Sequence, residues 1–170
     1  MRIFLYPFSV LYGFIIFIRN LLYDFGVFRV AKLKIPVISV GNLTMGGTGK
    51  TPVVEMLIEY LSKNGKQIAV ISRGYKRLSK GPVIVSDGKN LISSFKNSGD
   101  EPFQIAKKYP GVIVGVDSNR ERIANMLLEK YKIDVFLMDD GFQHRKIFRD
   151  LNILTINAGK SPFKDYIFPA

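Results

Sequence analysis

A glycine-rich segment that ends in a lysine and a threonine is the clearest place in this sequence for chemistry on phosphate. The segment comprises Gly46, Gly47, Thr48, Gly49, Lys50 and Thr51. The backbone N–H groups of such a turn, together with the N-terminus of a following helix, bind phosphate oxygens. The ammonium of Lys50 would contact the β- and γ-phosphates of ATP, and the hydroxyl of Thr51 would hold Mg²⁺. The strict P-loop pattern has glycine at the position of Thr44, so this segment alone predicts only nucleotide-dependent phosphoryl chemistry.

Two adjacent carboxylates, Asp139 and Asp140, directly follow the apolar run 135–138. An acidic residue that closes a buried strand of a P-loop sheet is the Walker B arrangement, which coordinates Mg²⁺ directly or through water. Two adjacent carboxylates repel each other, and so they suit a site that holds a cation. We expect both to be metal-binding and catalytic residues. The alternative is that one of them only caps the turn at Gly141.

A third acidic residue, Asp100, stands at the predicted start of a helix between Gly99 and Pro102. The helix dipole stabilises an ionised carboxylate at that position. The functional hypothesis is a general base that takes a proton from an acceptor hydroxyl. Plain helix capping is the alternative.

Basic and polar residues follow other predicted strands and could receive a phosphate on a substrate. The candidate substrate residues are Ser72, Arg73, Arg120 and His144. A solvated loop is the alternative for the arginines. The single histidine excludes a histidine-rich metal centre, and a surface position is the default interpretation of His144.

The elements that must position these residues alternate between strands and helices. Apolar runs predict strands at 35–40, 68–71, 83–85, 112–116, 135–138 and 151–156, and helical periodicity predicts helices at 50–63, 100–109 and 118–131. This alternation predicts an α/β fold, a P-loop NTPase-like, mostly parallel sheet flanked by helices. Ligands then bind at the carboxyl ends of the strands, where all the candidate residues fall.

An N-terminal amphipathic membrane-interface helix is predicted at 8–23. It would span roughly 24 Å, which is short of the ~30 Å hydrocarbon core. Its less apolar stripe comprises Ser9, Tyr12, Gly13, Ile16, Arg19, Asn20 and Tyr23. A broad apolar surface with one less apolar stripe is typical of helices that lie in the membrane interface. A simple core helix is one alternative; a signal peptide is another, although no small-residue cleavage site follows Ile18.

The composition is typical of a globular domain with a strongly basic surface. The chain has 170 residues, 47% hydrophobic and 23% charged, and a formal net charge of +11. The absence of cysteine excludes disulfides and thiolate metal sites and is consistent with a reducing cytosol. A basic surface attracts nucleic acid, an anionic membrane or a phosphorylated substrate. No recognisable nucleic-acid-binding motif accompanies the charge, so we expect no nucleic-acid partner.

Four segments together resemble the tetraacyldisaccharide 4'-kinase (lipid A 4'-kinase) family of the bacterial inner membrane. They are residues 41–52, 72–75, 99–102 and 139–144, the last of which reads Asp-Asp-Gly-Phe-Gln-His. That last string is much more specific than the phosphate loop, and the Thr44 departure is normal for the family. The resemblance runs from the N-terminal hydrophobic helix to the last residue.

The resemblance implies transfer of the γ-phosphoryl group of ATP to the 4'-hydroxyl of a tetraacyldisaccharide 1-phosphate, with Mg²⁺ as cofactor. It implies that Lys50 and Thr51 bind the triphosphate and the metal, that Asp139 and Asp140 surround the metal, and that Asp100 lies near the acceptor hydroxyl. Ser72, Arg73 and Arg120 match positions that line the nucleotide or substrate site. The implied location is the cytoplasmic face of the inner membrane, with an anionic lipid surface as partner.

The resemblance also sets an expectation for domain organisation. Members of that family are longer and carry a second, smaller α/β domain. We therefore expect residues 1–30 to form a membrane-associating helix and 31–170 a P-loop nucleotide-binding domain, with the second family domain absent from this chain. Two alternatives stay open. One is a membrane-associated ATPase switch, whose signature lysine would stand where this chain has Met45. The other is an inactive nucleotide-binding fragment.

Overall fold

The computed structural model describes residues 6–42 and 49–156, so Gly46, Gly47 and Thr48 of the phosphate loop lie outside the described residues, as do the last residues of the chain. The helices are α1 (Tyr6–Asp24), α2 (Lys50–Lys63), α3 (Phe95–Ser98), α4 (Asp100–Lys108) and α5 (Arg120–Lys130). The strands are β1 (Val37–Asn42), β2 (Ile68–Ser72), β3 (Val83–Asp87), β4 (Ile113–Val116), β5 (Val135–Asp139) and β6 (Leu151–Thr155).

One six-stranded sheet has the order β3-β4-β2-β5-β1-β6. All neighbouring strands are parallel except β3 and β4, which are antiparallel. The central strands are continuous apolar runs because helices cover both of their faces. The register pairs Val40 with Asp139 and Ser72 with Val116, so these strands end at one edge of the sheet. The predicted α/β fold is confirmed.

A hydrophobic cluster lies on each face of the sheet, and successive residues of β5 contribute to opposite clusters. Leu137 packs in the cluster that contains Val54 and Ile58 of α2. Phe136 and Met138 pack in the cluster that contains Ile123 and Leu127 of α5. Full burial of each such side chain stabilises the fold by about 1.5–3 kcal/mol. The two clusters fix β5 in the sheet and thereby fix the position of the acidic residues that follow it.

Several boundaries differ from the prediction. β1 begins at Val37 and extends to Asn42, because the parallel ladder with β6 continues past the apolar run. Helix α5 begins at Arg120 and not at residue 118, because Asn119 is its N-cap and its side chain accepts a hydrogen bond from Arg122 N. The short helix α3 was not predicted, since its four residues carry no helical period.

Helix α1 turns its apolar side chains outward. Val10, Phe14 and Phe17 are each more than half exposed, whereas Tyr23 near the helix end is buried. These apolar side chains therefore lie at the surface of the described chain, and the membrane-interface helix stays a prediction. No helix in residues 6–42 and 49–156 is both long and apolar enough to span a membrane. Side chains of residues 6–9, Ser9 among them, lie outside the described part.

Candidate active site

The lysine of the predicted phosphate loop meets the second acidic residue after β5. Lys50 Nζ lies 2.8 Å from Asp140 Oδ1 and donates to Asn42 Oδ1 at 3.3 Å. Lys50 begins α2, Asn42 ends β1, and β1 is the neighbour of β5 in the sheet. The ammonium therefore lies at the carboxyl edge of the sheet, where the N-terminus of α2 adds partial positive charge. Two predicted site residues are brought together here.

Asp139 is a buried carboxylate, with 4% of its surface exposed. Burial raises its pKa from the ordinary value to about 6, and the negative charges of Glu101 and Asp140 act in the same direction. Lys50 partly opposes this rise. Glu101 was not among the predicted site residues, although its position beside Asp100 at the start of α4 was a signal for it.

The backbone at Asp140 is in the left-handed region, with φ of 51°. This conformation is uncommon for a residue with a side chain, although aspartate tolerates it better than most. Gly141 N donates to Val40 O at 3.1 Å and holds the turn on the end of β1. A Cβ at Gly141 would lie 2.5 Å from Ser39 Oγ, so only glycine fits there. The side chain of Asp140 is therefore not only a cap of the turn at Gly141, because the turn directs its carboxylate toward Lys50.

Arg120 lies beneath these carboxylates and is 5% exposed, so the alternative of a solvated loop is wrong for it. Its Nη2 donates to the carbonyl oxygens of Asp139 at 3.3 Å and Asp140 at 3.1 Å. Burial lowers its pKa, the negative charges of Asp140 and Asp139 oppose this shift, and the positive charge of Arg73 adds to it. Arg120 Nε is buried with no hydrogen-bond partner in the described residues. Arg120 thus lies among charged groups of both signs, with one N–H that a ligand could bind.

His144 is partly buried, so the expected surface position is wrong. Its Nε2 atom is buried without a partner among the described residues. Burial, together with the positive charges of Arg120 and Lys146, lowers the pKa of His144 to about 4. The imidazole is therefore neutral at pH 7, available to donate or accept one hydrogen bond at Nε2. Sequence patterning missed this because the arginines around it come from distant elements.

Asp100 is the first residue of α4 and is exposed to solvent. The N-cap position belongs to Gly99, which has a φ of 87°, so Asp100 lies in the first turn and is not the cap. A Cβ at Gly99 would lie 2.7 Å from Tyr75 O. The loop after β2 therefore packs directly against the start of α4, and this contact brings Arg73 and Asp100 to the same edge of the sheet.

A buried ion network that the sequence did not predict holds this loop. Asp117 has no exposed surface and accepts hydrogen bonds from Arg122 Nε at 2.6 Å and Nη2 at 3.0 Å. Arg77 lies 3.7 Å from the same carboxylate and donates to Val116 O at 3.2 Å. Burial acts to raise the pKa of Asp117, but the hydrogen bonds from Arg122 and from Asn119 N lower it below its ordinary value.

Beside this network is an open groove with a volume of about 520 Å³. Arg73, Lys76 and Ser118 are among the residues that line it. Ser72 lies under the groove, where its Oγ accepts a hydrogen bond from Gly74 N at 3.4 Å, and it is 5% exposed. Ser72 therefore closes a turn in the loop and does not face the groove in this geometry.

The donor atoms of the predicted Mg²⁺ site are oxygens. No group of three or more His, Cys, Asp or Glu residues that could hold a metal is found in the part of the chain that the structure describes. The predicted donors are two carboxylates, Asp139 and Asp140, and the Thr51 hydroxyl in the first turn of α2. Mg²⁺ is commonly held by one or two carboxylates together with substrate phosphates, so this oxygen set fits the ion. Glu101 adds a third negative charge near Asp139 and Asp140, and Lys50 and Arg120 are the cations whose charges act on these two aspartates.

Comparison with known proteins identifies the family. The family model described as Tetraacyldisaccharide-1-P 4'-kinase matches residues 1–170. The chain belongs to the tetraacyldisaccharide 4'-kinase family. Family members that it resembles include proteins of Aquifex aeolicus (49% identical over 98% of this chain and 51% of the relative) and Chlorobaculum parvum (43% identical over 96% and 46%). This chain therefore spans about half the length of the curated tetraacyldisaccharide 4'-kinases that it matches.

A solved structure of the tetraacyldisaccharide 4'-kinase family has the same fold. The crystal structure of LpxK from Aquifex aeolicus in complex with ATP superposes with a TM-score of 0.91 at 48% identity, and the match covers 99% of this chain and 52% of that protein. The mostly parallel sheet flanked by helices is thus the fold of this part of a tetraacyldisaccharide 4'-kinase.

Proposed function

We propose that this chain is the ATP- and Mg²⁺-binding part of a lipid kinase. The kinase transfers the γ-phosphoryl group of ATP to the 4'-hydroxyl of a tetraacyldisaccharide 1-phosphate, a step of lipid A biosynthesis. The observation that carries this proposal is the 2.8 Å contact between Lys50 of the phosphate loop and Asp140 after β5, in a chain of the tetraacyldisaccharide 4'-kinase family. A lysine and a carboxylate at this edge of a parallel sheet are the parts that phosphoryl transfer requires.

Each site residue has a proposed role. Lys50 contacts the β- and γ-phosphates, within a loop formed by Gly46, Gly47, Thr48, Gly49, Lys50 and Thr51. Thr51, Asp139 and Asp140 hold Mg²⁺, which neutralises charge on the phosphates when it is bound. Arg73, Arg120 and His144 line the nucleotide or substrate site, and Ser72 shapes the loop that carries Arg73. Arg120 supports this role best, because its buried Nε atom has no hydrogen-bond partner among residues 6–42 and 49–156.

In the proposed reaction Asp100 takes the proton from the 4'-hydroxyl while the hydroxyl oxygen bonds to the γ-phosphorus. The bond from that phosphorus to the oxygen bridging the β- and γ-phosphates breaks, and ADP leaves. Asp100 is exposed at the start of α4, so an acceptor hydroxyl can approach its carboxylate from solvent. Catalysis then rests on alignment and on neutralisation of charge by Lys50 and the arginines.

We further propose that residues 1–30 dock on the cytoplasmic face of the bacterial inner membrane and that residues 31–170 form the nucleotide-binding domain. The outward apolar face of α1 supports docking, since Phe14 and Phe17 are 58% and 60% exposed. Such a face inserts a short way into the boundary between headgroups and acyl chains. The positive charge of the chain favours an anionic surface, at about 1 kcal/mol for each Lys or Arg near it. The lipid substrate would be reached from the same surface.

The decisive experiment joins this chain to the C-terminal half of the Aquifex aeolicus kinase and assays Mg-ATP with the tetraacyldisaccharide 1-phosphate. The expected product carries phosphate at the 4'-position, and Lys50→Ala should abolish it. The matched control is Lys108→Ala, since Lys108 pairs with Glu55 at 2.8 Å away from the site. A folded fusion that binds ATP and yields no 4'-phosphate would overturn the proposal. ATP hydrolysis that depends on dimerisation and ignores the acceptor would favour the ATPase switch instead.

A further inference from the structure

Helix α1 is directly joined to the loop that carries the candidate site residues. We call residues 140–148 the site loop. Arg19 Nη2 on α1 donates to Gln143 O at 3.1 Å. In the opposite direction, Arg145 Nη1 of the site loop donates to Asn20 O at 3.3 Å, and Arg145 also pairs with Asp24. The middle of the site loop is therefore held by the last two turns of α1.

A buried aromatic ring strengthens this junction. Arg19 lies 5.7 Å and Arg145 lies 5.2 Å from the centroid of the Tyr23 ring. Tyr23 is only 9% exposed, and cation–π contacts gain strength when they are removed from water. The backbone then continues the junction, because Ala31 N donates to Lys146 O and Phe148 N donates to Ala31 O, both at 2.8 Å. A movement of α1 therefore moves the site loop.

The other end of the site loop lies at the phosphate site. Asp140 contacts Lys50 at 2.8 Å, and Gly141 N is bound to the end of β1. Arg149 Nη1 donates to Phe142 O at 2.6 Å and fixes the chain immediately after this turn. The carboxylate that faces Lys50 and the carbonyl group that α1 holds are thus parts of one short, braced segment.

The two ends of α1 have different surroundings. The hydrogen bonds and ion pairs above come from residues 19–24, whereas the large apolar side chains from Val10 to Ile18, apart from the half-buried Ile16, are at least 40% exposed. A lipid surface would give those side chains a partner and would hold α1 in the orientation that braces the site loop. Because docking on lipid would already have ordered the site loop, nucleotide binding would no longer bear the entropic cost of ordering it.

We propose that Arg145 is a positioning residue that couples α1 to the phosphate site, so that docking of α1 on an anionic lipid surface tightens the binding of Mg-ATP. The inference rests on the proposed docking of α1 and goes beyond it. Coupling of two binding sites is reciprocal: Mg-ATP must tighten vesicle binding by the same factor. The kinase would thus bind ATP most tightly at the membrane that contains its lipid substrate.

The test uses this chain with a fluorescent ATP analogue and Mg²⁺, with and without vesicles of phosphatidylglycerol and phosphatidylethanolamine. For the unmodified chain we expect vesicles to lower the Kd for the nucleotide at least about fivefold. Arg145→Gln should still bind vesicles, because the outer face of α1 is unchanged, but its nucleotide Kd should be the same with and without them. Lys108→Gln removes the same charge away from the junction and should keep the full effect.

The outcomes separate this inference from the docking on which it rests. Vesicle binding with no change in nucleotide Kd, or a full vesicle effect in a folded Arg145→Gln chain, overturns the coupling and leaves docking intact. A chain that does not bind vesicles overturns both. If Arg145→Gln does not fold, Arg19→Gln decides, since it removes the bond to Gln143 O and the contact with the Tyr23 ring but leaves Arg145 in place. A reduced vesicle effect in that variant supports the coupling, and an unchanged effect overturns it.

Discussion

Lys50 and Asp140 are far apart in the sequence, yet Lys50 Nζ lies 2.8 Å from Asp140 Oδ1. The contact depends on the adjacency of β1 and β5, because α2 follows β1 and Asp140 follows β5. The lysine side chain is 20% exposed and the aspartate side chain 60% exposed, so solvent weakens this pair and its own contribution to stability is small. Its significance is geometric, since an anionic ligand can replace Asp140 as the partner of the ammonium.

Replacement of Lys50 by alanine should weaken binding of Mg-ATP to this chain. A hydrogen bond to a charged group contributes about 1.5–3 kcal/mol, which corresponds to a loss of affinity of roughly tenfold or more. Isothermal titration calorimetry measures it directly. Lys108→Ala is the control, because Lys108 pairs with Glu55 in an exposed position. An unchanged Kd for Lys50→Ala would contradict the assignment of this lysine to phosphate.

His144 should make the stability of the fold depend on pH below neutrality. Its pKa is lowered from 6.5 to about 4 in the folded chain, so the unfolded chain binds more protons between these values. Stability is therefore fully present above pH 6.5 and is lost as pH falls toward 4, by up to about 3 kcal/mol before screening by solvent. Urea unfolding at a series of pH values should show this slope in the wild-type chain, and His144→Gln should flatten it. Equal slopes in the two chains would refute the burial of this imidazole.

Asp139→Asn should stabilise the ligand-free fold at pH 7.5. The pKa of Asp139 is raised from 3.8 to about 6, so the folded chain binds more protons between these values and stability falls as pH rises through them. Removing the ionisable group at pH 7.5 is worth up to about 3 kcal/mol at 1.4 kcal/mol per pKa unit. The same variant should lose affinity for Mg-ATP. A variant less stable than the wild type in urea unfolding would show that the ionised form is stabilised in the fold.

Asp117→Ala should be strongly destabilising, because Arg77 and Arg122 both lose their buried partner. Removal of one member of a buried ion pair costs about 3–5 kcal/mol. The matched comparison is Glu55→Ala, which breaks the more exposed pair with Lys108 and should cost about 1 kcal/mol or less. Urea unfolding of both variants measures the difference. A loss of stability no larger than that of Glu55→Ala would exclude a structural role for the network around the groove.

Charged substitutions on the outer face of α1 should abolish vesicle binding without loss of stability. Phe14 and Phe17 are 58% and 60% exposed, so Phe14→Glu and Phe17→Glu remove little packing within the described chain. Co-sedimentation with phosphatidylglycerol vesicles measures binding. Met56→Glu is the control, since Met56 is 59% exposed on α2 and carries the same change of charge. Retention of vesicle binding by the α1 variants would exclude this face as the docking surface.

Much of the candidate site was predictable because its signals are local. The glycine-rich segment before α2 and the two carboxylates after β5 are each recognisable from a few consecutive residues, and alternating apolar runs predict the strands that end beside them. Helix α2 has the predicted bounds, since the helix starts at Lys50 after the turn and stops before Asn64-Gly65. The confirmed α/β fold follows from the alternation of elements, which is also a property of neighbours in the chain.

Roles that depend on burial or on distant partners were not predictable. Arg120 was a candidate substrate residue with a solvated loop as the alternative, and its burial against the backbone of Asp139 and Asp140 was not predicted. His144 read as a surface residue, yet its pKa is lowered to about 4 by burial and by arginines from other elements. Glu101 became relevant only because α4 brings its charge to Asp139. No periodic pattern in the sequence indicates these contacts, because each of them joins residues that are remote along the chain.

The sequence by itself determined the class of chemistry, through a loop that suits phosphate and carboxylates that suit a cation. It also determined that the N-terminal helix would be amphipathic. Only the tertiary structure decided that β5 lies beside β1, so that Asp140 contacts Lys50. It also decided that α1 holds the site loop, through Arg19 on the helix and Arg145 on the loop. The physical reason is that local patterns set the periodicity and polarity of an element. The packing of the two cores on the sheet sets which elements become neighbours.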